Sequence, residues 1–115
     1  MTPNGEMLIV ADRLVADEFA SRLAPSSPTT CSDPYDALAA MRDRPWPLIV
    51  LTASQPDLAG FCRAVRRLQR DARVMVLCAP AAEPQVRPLV RDTVDDYFIY
   101  PLMESDWREL LAESD

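Results

Sequence analysis

The sequence predicts an α/β fold, a doubly wound parallel sheet with helices on both faces. Three observations point there. Four short apolar runs and a weaker fifth recur along the chain, each of strand length. Segments with the apolar spacing of amphipathic helices separate them. No linker, repeat or low-complexity tract interrupts the alternation, and parallel strands joined by right-handed helical crossovers are the packing such an order favours.

Each element has its own signal. MLIV (7–10) is a β-branched run fit for a strand buried on both faces. RLVADEFASRL then places Val15, Phe19 and Leu23 at i, i+4 and i+8, with Ala16 and Ala20 beside them, and PSSP (25–28) ends that helix. TTCS (29–32) is the weaker strand. In SDPYDALAAM, Ser32 or Asp33 caps a second helix and Pro34 fits its first turn. RPWP (44–47) stops it, and LIVL (48–51) is the clearest buried strand.

DLAGFCRAVRRLQR keeps Leu58, Phe61, Val65 and Leu68 at helical spacing, and RVMVL (73–77) follows as the fourth strand. AAEPQVRPLVRD (81–92) is a poorer helix: Pro84 suits a first turn, whereas Pro88 lies where an interior residue would be. DYFIY (96–100) is the fifth strand. ESDWRELLAE (104–113) is the last helix, with Ser105 as its cap and Trp107 packing it against the sheet.

Composition excludes several function classes. At 115 residues and 49% hydrophobic content, the chain suits one domain over 1–115, with a core from about 6 to 112. No apolar run approaches the roughly 20 residues that span a bilayer. The N-terminus lacks the basic start and apolar stretch of a signal peptide, so a cytoplasmic location without membrane attachment is expected. Cys31, Cys62 and Cys78 form no CxxC pair, and histidine is absent, which argues against a zinc site, a disulfide framework and a Ser or Cys triad. The net charge of −6 argues against direct nucleic-acid binding. Every positive charge is an arginine, a compositional habit rather than a site.

The order and separation of MLIVAD, LIVLTASQPDLAG, VMVLCA and DDYFIYP resemble the receiver domain of two-component response regulators. The resemblance implies a flavodoxin-like sheet of strand order 2-1-3-4-5. Pro56 and Gly60 match the family's proline and glycine after the third strand, Asp95, Asp96 and Tyr97 match its motif before the last strand, and Tyr100-Pro101 stands for its cis-forming Lys-Pro. A working receiver, by this resemblance, carries an acceptor aspartate, two further acidic residues holding Mg²⁺ through oxygens, a Thr or Ser, and a Lys. Here the acceptor position is Thr52, the acidic pair is Ala11-Asp12, the Thr/Ser position is Cys78 and the Lys position is Tyr100. Only Asp12 retains its group.

An alcohol such as Thr52 needs a base or metal to act as a nucleophile, and the loss of lysine removes charge that would stabilise a transferring phosphoryl group. Catalysis and Mg²⁺ binding are therefore not expected. Asp12 reads first as a helix cap, Asp57 as a loop residue or cap, and Cys78 as a small apolar filler rather than a redox thiol. Arg63, Arg67 and Arg70, with Arg66 alongside, share a helix face whose default reading is solvation, although an acidic partner surface or nucleic acid would fit.

The expected function is a pseudo-receiver that docks without accepting phosphate. Its partner is another protein, a second copy or further domains of a longer product. The resemblance places the contact on the fourth helix, fifth strand and fifth helix, with Val86, Val90, Arg91 and Tyr97 on that surface. Two alternatives remain: a sensor binding a small ligand between Thr52, Cys78 and Tyr100, and a weakly active receiver working through Asp12.

Overall fold

The computed structural model describes residues 7–24 and 28–111. The expected limits of the core at 6 and 112, most of the PSSP break and the end of the last helix lie outside them. Five parallel strands form one sheet: β1 (Met7–Val10), β2 (Thr29–Cys31), β3 (Leu48–Thr52), β4 (Arg73–Cys78) and β5 (Asp96–Ile99). Their order is β2-β1-β3-β4-β5, the doubly wound arrangement expected.

Strand alternation divides the core in two. Leu8, Val10, Ile49, Leu51, Val74, Val76 and Cys78 face α2 (Pro34–Asp43), α3 (Leu58–Leu68) and the short α4 (Glu83–Val86). Met7, Ile9, Leu48, Val50, Met75 and Leu77 face α1 (Arg13–Leu23) and α5 (Glu104–Leu110). Central strands buried on both sides explain why MLIV and LIVL are continuously apolar. Trp107 is buried and meets Phe19 edge-on, ring centres 4.7 Å apart, which fastens α5 to α1.

Three helices start as their sequences suggest. The carboxylates of Asp12, Asp33 and Asp57 accept from Val15 N, Tyr35 N and Gly60 N, satisfying otherwise free amides of α1, α2 and α3. Asp57 lies so close over the backbone that a Cβ at Gly60 would sit 2.2 Å from its Oδ2. Any larger residue there would push the cap aside.

Two elements differ from expectation. Residues 81–92 do not make a helix; a single α turn, α4, lies between 3-10 turns at Pro80–Ala82 and Arg87–Leu89. Pro84 and Pro88 each remove an amide donor, and Pro88 would press on the carbonyl four residues back, so the backbone tightens instead. Ser105 lies inside α5 rather than capping it. The cap position is Met103, whose amide donates to Asp106 Oδ2 at 2.9 Å.

Interlocking side chains join α3 to the sheet's lower end. Gln69, buried, donates to Met41 O (2.6 Å) and Arg44 O (2.8 Å) and accepts from Trp46 N (2.8 Å). No helix among the described residues is long and apolar enough to cross a membrane.

Candidate functional site

In a parallel sheet the carboxyl ends of the strands collect functional groups. Here Asp12 follows β1, Thr52 closes β3, Cys78 closes β4 and Tyr100 follows β5. The four side chains come together around a cleft of about 340 Å³, mostly apolar, with Val15, Leu77 and Ala82 in its walls. The fold thus brings to one cleft four residues spread along the chain.

Each polar group at that site already has a partner. Thr52 Oγ1 lies 2.9 Å from Ser54 Oγ, and Asp12 Oδ1 is 3.1 Å from the Val15 amide that it caps. The Tyr100 hydroxyl donates to Glu18 on α1. That hydrogen bond, helped by partial burial and by the charges of Glu18 and Asp12, pushes the phenol up to about 12. Burial, then the charge of Glu83, raises the Cys78 thiol, so it stays protonated and packs as a small apolar group. Nothing here matches a reactive cysteine.

The donor set does not fit Mg²⁺. A hard dication asks for several oxygen ligands, and Ala11 offers no side-chain donor beside Asp12. Among the described residues no three carboxylate, thiol or imidazole groups converge to hold a metal. Tyr100-Pro101 is a cis peptide.

The proposed contact face is rearranged. Val86 is 0% exposed and belongs to the core, because the one-turn α4 is pulled flat against β4 and aims that side chain inward. It is not a surface residue. Val90 is half-buried against the same core, and Arg91 is exposed with φ 84° at the tight turn where its amide bonds Val94 O. Tyr97 is half-buried, and its hydroxyl donates to Glu83, which also pairs with Arg87. Arg87, then Tyr97, hold the Glu83 carboxyl below the usual range.

Sequence reasoning missed Ile99 and Met103, 37% and 68% exposed. Both line a groove of about 660 Å³ along the β5 edge with Tyr97, Pro101 and Asp106. The signal was strand parity: Ile99 shares Tyr97's face, where a one-turn α4 leaves it uncovered. Glu18 was also missed, since nothing local links it to a tyrosine 82 residues away.

Solved structures share this architecture. Adenylate cyclase from Rhodopirellula baltica superposes with a TM-score of 0.79 at 17% identity, covering 91% of this chain and 82% of that one. The response regulator receiver domain protein from Clostridium thermocellum gives 0.76 at 12% identity, covering 91% and 88%. The fold is that of a response-regulator receiver domain. A response regulator from Burkholderia pseudomallei, solved with a phosphorylated aspartic acid, a calcium ion and citrate, shares the receiver fold at TM-score 0.69 and 19% identity. The match covers 91% of this chain but 65% of that protein's. No protein-family model and no curated protein matches the chain.

Proposed function

We propose that the chain is a pseudo-receiver: one receiver-like unit that acts in signalling by docking to protein, with no phosphoryl transfer and no bound Mg²⁺. The observation that carries this reading is the state of the strand-end cluster. An alcohol bonded to another alcohol, a carboxylate occupied as a helix cap, a protonated buried thiol and a tyrosine tied to Glu18 supply neither nucleophile nor cation. The tether of Tyr97 to Glu83 supports a single fixed conformation. The contact face in this reading is the groove of Ile99 and Met103 beside β5 and α5, with Arg91 and Val90 at the far side of α4.

A titration of the isotope-labelled chain with Mg²⁺ and beryllofluoride, followed by NMR, tests it. The expected result is no saturable shift at Asp12, Thr52 or Cys78. Saturable shifts that reach Tyr97 would replace the proposal with a working receiver.

One observation favours a second reading. The strand-end cleft of about 340 Å³ falls within the size of small-ligand pockets, and its lining is chiefly apolar. A small neutral ligand would suit it, with Thr52, Ser54 and Tyr100 as the polar contacts. Thr52→Trp separates the readings: it fills the cleft and abolishes such a ligand site, but leaves docking along β5 and α5 intact.

A further inference from the structure

We propose that the cleft between α3 and the Asp92–Thr93 turn receives an acidic segment of a protein partner. Arg63, Arg66, Arg67 and Arg70 line this cleft of about 740 Å³, against a single carboxylate, Asp92. Because α3 runs antiparallel to the strands, the cleft lies at the opposite end of the sheet from Thr52 and Tyr100. It is independent of the strand-end cleft and of the groove along β5.

Arg66 makes the cleft a preformed one. Its guanidinium donates to Thr93 O (2.8 Å), Ala72 O (2.8 Å), Arg70 O (3.1 Å) and Gln69 O (3.2 Å), and pairs with Asp95 at 3.0 Å. The two walls are thereby fixed to one another, and the Asp95 carboxylate is neutralised within the fold. Arg63, Arg67 and Arg70 are exposed, and among the described residues none of them forms an ion pair.

A simpler origin for the row is the helix dipole, which favours cations in a last turn. That accounts for Arg66 and Arg67. Arg63 lies a turn earlier, however, and Arg70 lies beyond the end of α3, so these two repel Arg67 and one another around the cleft without that compensation. A ligand carrying negative charge relieves the repulsion. Guanidinium forks match carboxylates in paired hydrogen bonds, which makes arginine the fitting residue for the task.

The rest of the surface limits the size of the occupant. Acidic residues number eighteen against twelve arginines, so a long polyanion such as nucleic acid would run off the cleft onto like charge. A short acidic stretch stays within it. Arg63 to Arg70 span about 10 Å at the rise of a helix, which an extended peptide covers in about three residues.

The test is fluorescence anisotropy of labelled hexaglutamate with the whole chain at low salt, with an oligonucleotide of equal charge and inorganic pyrophosphate as unlabelled competitors. Saturable binding of hexaglutamate, weakened by salt, is expected. The Arg63→Gln, Arg67→Gln, Arg70→Gln triple variant should lose about tenfold in affinity with an unchanged unfolding midpoint. Arg63→Gln by itself should show a smaller loss in the same direction, and serves if the triple variant unfolds. Absent binding, or binding that the variants leave untouched, overturns the proposal. So does tighter binding of the oligonucleotide or of pyrophosphate through the same arginines, which would make the cleft a nucleic-acid or small-anion site.

Discussion

Tyr100 stands where the receiver resemblance expects a lysine, and its hydroxyl donates to Glu18 rather than meeting a phosphoryl group. The consequence is measurable at high pH. The unfolded phenol titrates near 10, the folded one is pushed up to about 12, and the cause is first the Glu18 hydrogen bond and then partial burial. The fold thus favours the neutral phenol. Its stabilising contribution is complete below pH 10 and is lost as pH rises through about 12. The Glu83 hydrogen bond raises the Tyr97 phenol as well, so the alkaline titration of phenolate absorbance is made in a Tyr97→Phe background. There it should show a late component that Tyr100→Phe removes and Glu18→Gln moves toward 10. A late component that survives Tyr100→Phe would show that this bond does not govern the titration. At this scale the receiver resemblance picked out Asp12, Thr52, Cys78 and Tyr100, and the fold brings all four to one cleft. What the resemblance lacked was their partners, because Ser54 is a neighbour in sequence but Glu18 is one only in space.

The elements show where patterning suffices and where it does not. LIVL and RVMVL were legible because central strands are buried on both faces, so each residue carries the same signal. The segment 81–92 was legible only as doubtful. Two prolines four residues apart permit a helical turn at one and forbid it at the other, and the outcome depends on packing against β4. Val86 was misplaced for the same reason. The role of Gln69, just past the end of α3, was not legible, since it reads as an ordinary polar residue until the loop after α2 wraps round it. Its side-chain amide serves the carbonyls of Met41, in the last turn of α2, and Arg44, and the amide of Trp46, while buried. Gln69→Leu keeps the volume but leaves those groups without partners, at about 1 to 3 kcal/mol for each group that stays dry. A loss of about 3 kcal/mol in chemical denaturation is expected, with the strand-end cluster unaffected. A loss below about 0.5 kcal/mol, the range of ordinary surface changes, would mean that water replaces the glutamine without penalty.

For the molecule as a whole, fold and chemistry separate. A fold shared with response-regulator structures at 12% to 19% identity needs only apolar strands, crossover helices and caps, all of which persist here. By the receiver resemblance, phosphotransfer needs charge at particular strand ends, where this chain keeps only Asp12. On the pseudo-receiver reading proposed above, what such a body offers is surface. Two of the exposed large apolar side chains, Ile99 and Met103, share one groove beside the edge strand β5, with Pro101 in its lining. An edge strand with uncovered apolar side chains invites association unless a partner covers it. If copies associate through this groove, burying each side chain contributes about 1.5 kcal/mol, so removing both should weaken association about a hundredfold. Ile99→Asp with Met103→Asp, measured by sedimentation equilibrium, should therefore leave a monomer at concentrations where the parent chain self-associates. Because both positions are exposed, the unfolding midpoint should change little. Unchanged self-association in the double variant would exclude the β5 edge as the interface. A parent chain that stays monomeric throughout would exclude the homodimer, and the groove would then have to be covered by a different protein.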